Sequence, residues 1–347
     1  MAQAAGGLAC LRRLAAVARG AGGAALRPAM AELMQGNGQK TTTGEFLLER
    51  QEVASPDDAP RVILAPRRGL FGRRAERLGA ISEGHSLGPF LRFAAALCRA
   101  QEDAIGALGE RTLPGIASAV TGDEAPSAPL GPQALALNPD WGDTLGAVAA
   151  WIEGIEMPEA ARRALKRLRT IDRRVLNAWA AALLGEVSDP VDPVLAPFVK
   201  AALEVHWVAM ASKLEAARLA PARERGACPS CGHAPAVAVM HAEPRYNRAR
   251  YLFCGLCATE WYMARIKCSN CLDTGGITYY GLQGQAGGIR AETCGNCRTY
   301  LKVLDLEKEP QLDLVADDLA TIALDLKLAE QGMQRATPLP FVFAAPA

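Results

Sequence analysis

Apolar residues recur with helical spacing from about residue 66 to residue 220. They include Phe90, Ala94, Leu97, Cys98 and Ile105, then Trp141, Leu145, Val148 and Ile152, and later Leu195, Phe198, Ala202 and Val205. Gly84 and Gly88 mark the join between the first two helices. The pattern predicts a mostly helical domain, interrupted by a proline-rich loop over residues 120–140.

The pattern changes to alternation after residue 228, where two pairs of short apolar runs each flank a turn-rich segment. This layout predicts two β-hairpins, and one more alternating run after each hairpin predicts a third strand. The runs are AVAVM, RARYLF and TEWYMARIK in the first unit and GITYYGL, GIRAET and RTYLKVLDL in the second. The predicted fold class is α+β, with a mostly helical N-terminal domain, two tandem rubredoxin-like or zinc-ribbon units and a C-terminal helix.

Helical spacing returns near the C-terminus and predicts a closing helix over residues 311–331. Its apolar stripe comprises Leu312, Val315, Leu319, Ile322 and Leu326. Asp313, Asp317 and Asp318 fall mostly off this stripe, so their side chains are expected to point toward water.

Eight of the ten cysteines form four C-x-x-C pairs between positions 228 and 297. The pairs are Cys228/Cys231, Cys254/Cys257, Cys268/Cys271 and Cys294/Cys297. The first two pairs map onto the last two by a shift of 40 residues, which indicates an internal repeat. Each unit has 22 residues between its pairs, whereas 10 residues separate the two units. The junction FCGLCATEWYMARIKCSNC therefore holds the facing ends of two complete sites.

Two C-x-x-C turns joined by a hairpin can place four thiolates around one ion, and this spacing is typical of a tetrathiolate metal site. Zinc and iron both accept four tetrahedral thiolates, so the spacing leaves the metal open. The equal intervals favour sequential pairing over a cross-braced arrangement. His233 is a less favoured substitute ligand. A redox dithiol, a disulfide framework and an iron–sulfur cluster fit the paired turns less well.

Other residues that could bind a ligand or take part in chemistry are interpreted as structural. Cys98 lies on the apolar stripe without a second ligand at coordinating spacing, which predicts a buried core thiol. His85 and His206 are expected to be hydrogen-bonded packing residues. The basic run RRALKRLRT at 162–170 interleaves alanine and leucine and contains no aromatic residue, as expected for a solvated helix face. No catalytic constellation is recognised, so no enzymatic activity is predicted.

Composition restricts the class of protein further. The formal net charge is +1, which gives no argument for a polyanionic partner. No run approaches the ~18 consecutive apolar residues of a membrane span, so a soluble protein without a membrane span is predicted. Cysteines in metal-ligand spacing indicate a reducing compartment, and hence the cytoplasm.

The chain divides into five expected segments. Residues 1–45 are an Ala/Gly/Arg-rich extension without a signal-peptide core, either disordered or upstream of the true start. The others are the helical domain at 46–225, the first four-cysteine ribbon at 226–266, the second at 267–306, and the C-terminal helix and tail at 307–347.

The stretch IKCSNCLDTGGITYYGL, followed by AETCGNCRTYLKVLDLEKEPQLDLVADDLATIALDL, resembles the formate dehydrogenase accessory protein family, FdhE. RRAERL, LGPFLRFAAALCRAQE and CPSCG upstream extend the resemblance over roughly residues 65–345. The chain departs from the family pattern in its long start and at Leu339, where the family often has Asn.

This resemblance implies a cytoplasmic factor needed for active molybdenum- or tungsten-dependent formate dehydrogenase, which binds the catalytic subunit without being a subunit. It also implies iron in two rubredoxin-type sites, with zinc as the alternative. The implied ligands are Cys228, Cys231, Cys254, Cys257, Cys268, Cys271, Cys294 and Cys297.

Two other classes of function remain as alternatives. A zinc-ribbon nucleic-acid binder fits the surplus of four basic residues over residues 228–303, but residues 304–330 hold eight acidic residues against two lysines and largely cancel that field. A rubredoxin-type electron carrier fits the cysteines but leaves some 150 residues of helical domain unexplained.

Overall fold

A computed structural model describes residues 59–109, 128–136, 138–155, 159–185, 191–219, 226–246, 248–282, 287–338 and 341. The N-terminal extension, residues 120–127 and 137 of the loop predicted at 120–140, and Leu339 lie outside these residues. Within them, no helix combines the length and apolar character needed to cross a membrane.

The described residues of the N-terminal part form six α-helices, consistent with the apolar spacing. They are α1 (Leu70–Ser82), α2 (Gly88–Ala107), α3 (Trp141–Glu153), α4 (Glu159–Leu168), α5 (Arg173–Leu183) and α6 (Ala196–Ala211). Every residue of α6 except Lys200 is buried, so this helix is surrounded on all sides. Apolar side chains lie on all of its sides, with only Lys200, Glu204 and His206 polar, which is the pattern of a core helix rather than a surface one.

Cys98, His206 and His85, interpreted as structural, are buried or hydrogen-bonded within the fold. Cys98 is fully buried, and burial raises the pKa of its thiol well above the usual range. His206 Nε2 lies 2.8 Å from Thr144 Oγ1, and burial lowers the pKa of this histidine to about 4. His85 accepts the Leu87 amide at Nδ1 and donates from Nε2 to the Ala320 carbonyl.

The six predicted strands all form and belong to one sheet, together with two short strands that the alternation does not predict, at Val62–Ile63 and Gln334–Arg335. The strands are β1 (Val62–Ile63), β2 (Val237–Met240), β3 (Arg250–Phe253), β4 (Glu260–Tyr262), β5 (Ile277–Tyr280), β6 (Ile289–Cys294), β7 (Thr299–Asp305) and β8 (Gln334–Arg335). The order is β1-β4-β3-β2-β7-β6-β5, with β8 also on β7. The parallel β2–β7 pair, in the register Ala238↔Val303, joins the two cysteine units. All four residues of β2 are buried, as in a central strand covered on both faces.

The C-terminal helical segment is divided into α7 (Ala316–Ala320) and α8 (Ile322–Glu330), with Thr321 between them. Leu312, Val315, Leu319 and Ile322 are buried as the stripe predicts, whereas Leu326, its last member, is only partly buried. Lys302 Nζ on β7 donates to the Asp318 and Thr321 carbonyls at the break. Lys302 therefore supplies these two carbonyls with a hydrogen-bond donor from outside the helical segment.

The expectation that Asp317 and Asp318 point toward water is wrong. Their exposed fractions are 4% and 0%, because each carboxylate pairs with a cation from elsewhere in the chain. Asp317 contacts Arg77, and Asp318 lies 3.1 Å from Lys302 and 2.7 Å from Arg335. A buried charge is tolerated when it is paired in this way.

Candidate metal centre

The four C-x-x-C turns share one backbone conformation. The residue after each second cysteine has a positive φ: Gly232 at 78°, Ala258 at 54°, Leu272 at 64° and Arg298 at 55°. Its amide donates to the carbonyl of the first cysteine in the turn, at 2.8, 3.0, 3.1 and 2.9 Å in the same order. The turn folds the chain back so that both sulfurs of a pair face the same point. The left-handed conformation is costly for every residue except glycine, and only the first turn has glycine at this position.

The eight cysteines gather into two groups of four. Cys228, Cys231, Cys254 and Cys257 form the first site, and Cys268, Cys271, Cys294 and Cys297 form the second. Within each site all sulfur atoms lie within 4.8 Å of one another. The shortest cross-turn Sγ···Sγ distances are 3.4 and 3.6 Å in the first site and 3.7 and 3.7 Å in the second.

These distances fit a single tetrahedral ion. Metal–sulfur bonds of about 2.3 Å in a tetrahedron give sulfur–sulfur separations of about 3.8 Å. The pairing is sequential within each unit, so the cross-braced arrangement is not the one that forms. His233 belongs to neither group; it supplies its backbone carbonyl to the Cys228 amide instead.

Hydrogen bonds to sulfur repeat between the two sites. The Leu256 amide donates to Cys254 Sγ, and the Asn270 amide donates to Cys268 Sγ, both at 3.4 Å. The Thr259 and Thr299 hydroxyls lie 3.2 and 3.0 Å from the sulfurs of Cys257 and Cys297. Thr299 Oγ1 can donate to the Cys297 thiolate and stabilise its charge, whereas Thr259 Oγ1 donates its one proton to Ser230 Oγ and accepts from Cys257 Sγ. The prediction from sequence overlooked this pair, although C-x-T recurs with the same shift of 40 residues.

The first site is enclosed by the helical domain. All four of its cysteines are at most 2% exposed. The Leu130 amide donates to the Ser230 carbonyl inside the first turn at 2.7 Å, and Lys200 Nζ of α6 donates to the Gly255 carbonyl inside the second at 3.1 Å. Lys200 in turn pairs with the buried Glu204 at 3.0 Å. The helices thus hold both turns from outside and place a cation beside a site rich in thiolates.

The second site is more open. Cys271 and Cys297 are partly exposed. Polar contacts to its turns come from the same unit and from the C-terminal segment, where the Gln334 amide donates to the Arg298 carbonyl at 2.8 Å. Gly295 donates to the Gly276 carbonyl at 2.9 Å, and Asn296 donates to Asp273 at 2.7 Å.

In both sites the pKa values of neighbouring thiols shift in opposite directions. Burial acts to raise the pKa of Cys254 in the first site, but hydrogen bonds with the other three thiols outweigh it and lower that pKa well below the usual range. Burial raises the pKa of Cys228 and Cys231 well above the usual range, so four thiolates in the first site require a cation. In the second site burial raises the pKa of Cys268 to about 12. Burial also acts to raise the pKa of Cys297, but hydrogen bonds from Thr299 and Asn270 outweigh it and lower that pKa to about 6.

The two sites lie at the same end of the shared sheet. Cys254 follows the last residue of β3, and Cys294 is the last residue of β6. β3 and β6 run in the same direction, because β3 is antiparallel to β2, β2 is parallel to β7, and β7 is antiparallel to β6. β3 and β6 therefore lead into their cysteine turns at the same end of the sheet.

Close contacts connect the two units at this end. Gly226 has a φ of +64°, and a Cβ there would lie 2.5 Å from the Ser269 carbonyl in the first turn of the second site. Arg250 of β3 pairs with Glu292 of β6 at 2.7 Å, with side chains 1% and 3% exposed. The Arg250 guanidinium also donates to the Ala264 and Lys267 carbonyls in the junction. The sheet, the glycine contact and the buried ion pair make the two units one folded body.

Comparison with known proteins decides the family. The FdhE N-terminal domain matches residues 59–224, the FdhE central domain 227–265, and the FdhE C-terminal domain 266–342. The chain belongs to the FdhE family. These three FdhE segments cover both four-cysteine sites and the helices that enclose the first.

Curated relatives and a solved structure agree. The FdhE homologue of Serratia proteamaculans is 35% identical over 296 residues, which cover 85% of this chain and 95% of the relative. The FdhE homologue of Edwardsiella ictaluri is 38% identical over 280 residues, covering 79% and 88%. The crystal structure of the FdhE protein from Pseudomonas aeruginosa is 34% identical and has a TM-score of 0.71, covering 82% of this chain and all of that one.

Proposed function

We propose that this protein is a cytoplasmic accessory factor that is required for active formate dehydrogenase and binds the catalytic subunit of that enzyme during maturation. The observation that carries the proposal is membership of the FdhE family along both the helical part and the cysteine units. The role is one of binding rather than catalysis. We assign the helical part to residues 46–225 and the metal-binding part to residues 226–306.

We further propose that all eight turn cysteines are ligands of two mononuclear ions, with iron as the metal and zinc as the alternative. Two groups of four sulfurs at tetrahedral separations support this assignment. Bound iron would supply one-electron chemistry, whereas bound zinc would hold the fold. In both cases the protein encloses the first site, leaves the second partly open, and supplies hydrogen bonds to the thiolates.

Deletion of the gene tests the maturation role. Cells without the protein should still synthesise the formate dehydrogenase polypeptide but recover little formate-oxidising activity, and the wild-type gene should restore that activity. Unchanged activity after deletion, in cells with no second copy of the gene, would contradict the proposal.

The metal and its role are separated by a second experiment. Elemental analysis and the optical spectrum of anaerobically purified protein identify the ion, since ferric tetrathiolate absorbs visible light and zinc tetrathiolate does not. Zinc-loaded protein that binds the catalytic subunit but fails to restore activity would indicate a redox role. Full restoration by the zinc form would indicate a scaffold.

A further inference from the structure

The segment after α8, residues 331–337, contacts both four-cysteine units and is called the C-terminal strap. It contains β8, which pairs with the start of β7 in the register Gln334↔Thr299 and Arg335↔Tyr300. None of its seven residues is buried. The polar contacts that the strap makes with the rest of the fold are therefore important for its attachment.

One end of the strap is attached to the second site. Arg298, which follows the ligand Cys297, accepts the Gln334 amide at its carbonyl at 2.8 Å. Its guanidinium donates to the Gln331 carbonyl at 2.7 Å and to the Gly332 carbonyl at 3.4 Å. Gly332 has a φ of +73°, and a Cβ there would lie 3.0 Å from a guanidinium nitrogen of Arg298. The backbone and the side chain of one residue in a cysteine turn thus hold this end.

The other end of the strap is attached to the first unit. Thr337 Oγ1 donates to the Pro235 carbonyl at 2.9 Å, and Arg335 donates to the Ala236 carbonyl at 3.1 Å. Both carbonyls lie between the first site's turn and β2. The Arg335 guanidinium also lies 2.7 Å from each of two buried carboxylates, one in α7 and one in α8. This end is therefore anchored without contact to a metal ligand's turn.

Arg298 differs from the residues at the three equivalent positions of the repeat. Gly232, Ala258 and Leu272 also have positive φ after the second cysteine of a turn, but their side chains carry no polar atom. Glycine adopts this conformation without cost, whereas arginine does not. At Arg298 the cost is offset by the strap contacts and by the closed turn, in which its amide donates to the Cys294 carbonyl at 2.9 Å. The closed turn and the strap thus stabilise each other.

An empty second site removes support from this closed turn. The β6–β7 hairpin fixes the ends of the turn, but the convergence of its two sulfurs with those of Cys268 and Cys271 depends on the ion that fits between all four. Without that ion, the partly exposed Cys297 thiol is free to turn toward water. The Arg298 carbonyl and guanidinium then lose the positions at which they hold the strap.

We propose that residues 331–334 of the strap are a metal-sensitive switch, ordered on Arg298 when the second site holds its ion and released when that ion is lost. This inference rests on the proposed function, namely on the assignment of the second group of four sulfurs as a metal site. Arg335 keeps the rest of the strap attached in both states. The switch converts the metal content of the second site into a change of surface structure beside Arg298.

Backbone order parameters of the full-length protein test the switch, because they report motion within the folded state rather than overall stability. With two ions bound, the Gly332 and Gln334 amides should have values of about 0.85, which is typical of rigid backbone. In Cys297→Ser, which should keep only the first ion, both values should fall below about 0.6. The Val205 amide in α6 should keep the rigid value in both samples, which shows that the chain is folded.

The matched variant is Arg298→Gly, which keeps the left-handed conformation and the carbonyl but removes the guanidinium. It should bind two ions, and its Gly332 and Gln334 values should lie between those of the wild type and Cys297→Ser. Wild-type protein from which a chelator has removed the second ion should behave like Cys297→Ser and regain the rigid values when the ion is restored.

Elemental analysis of each sample separates the outcomes. If Gly332 and Gln334 stay rigid in folded protein that has lost the second ion, the switch is wrong and the proposed metal sites stand. If the wild type binds fewer than two ions, the metal assignment and the switch fail together.

Discussion

The two four-cysteine sites are repeats of each other in sequence and in turn geometry, yet their surroundings differ. The first has cysteines at most 2% exposed and is held by α6 and by Leu130 of the helical domain. The second has Cys271 and Cys297 partly open to solvent. The C-x-x-C repeat therefore determines how the sulfurs converge. How far a site is enclosed depends instead on residues distant in sequence from the turn that they contact, such as Lys200, which lies 55 positions before Gly255.

Replacing one ligand in each site should give the largest difference. Cys254→Ser leaves three thiolates in a site without solvent and should lower the free energy of unfolding by more than about 4 kcal/mol. Cys297→Ser should cost about 2 kcal/mol, because water can complete the partly open second site. Each variant should lose one ion of two, as measured by elemental analysis and urea unfolding.

The matched control for these variants is Cys98→Ser, a buried cysteine that belongs to neither site. It should retain both ions. Loss of both ions from either ligand variant would mean that the sites do not bind metal independently.

Removing the cation that holds the first site should have the next largest effect. Lys200→Met loses the bond to the Gly255 carbonyl and leaves Glu204, 6% exposed, without its ion-pair partner. We expect a loss of about 2 kcal/mol, below the ~3–5 kcal/mol of a fully buried pair because the Lys200 side chain is 19% exposed. Thermal unfolding of the metal-loaded protein measures this.

Lys327→Met is the corresponding control at a solvated pair. Lys327 and Glu330 are both 66% exposed, so this variant should change stability by less than about 0.5 kcal/mol. Equal stability of the two variants would show that the helical domain does not support the first site.

Metal release should distinguish the sites without any mutation. A chelator in excess should remove one ion about tenfold faster than the other. This ratio corresponds to a difference of about 1.4 kcal/mol between the two sites in the free energy of local opening. The fast ion should come from the second site, and alkylation should then label Cys271 and Cys297 first. Release of both ions at one rate, or first labelling of Cys228 and Cys231, would contradict the comparison.

The smallest expected effect concerns a single turn. Gly232 and Leu272 occupy equivalent positions in the repeat, both with positive φ. Gly232→Ala should cost about 1 kcal/mol, since an alanine must adopt the left-handed conformation, but should leave both ions bound. Gly106→Ala in α2, where an added Cβ meets nothing within 4 Å, should have the opposite sign. A stabilising Gly232→Ala in urea unfolding would refute the strain argument.

The sequence predicts those features that depend on local spacing. Helical spacing, alternation and the cysteine intervals predict the helices, the six strands and the two groups of four sulfurs. The β2–β7 pair is not predictable in this way, because a strand pattern shows which faces are buried and not which strand lies alongside. The burial of Asp317 and Asp318 depends on Arg77, Lys302 and Arg335, which are distant in sequence, so a helical-face argument alone places them wrongly.

Native mass spectrometry of the anaerobically purified full-length protein tests the central claim most directly, because it counts the ions bound to each folded chain. We expect two mononuclear ions per wild-type chain, one in Cys254→Ser, one in Cys297→Ser and none in the double variant. A single ion in the wild type, or a mass corresponding to a sulfide-containing cluster, would contradict two independent four-cysteine sites.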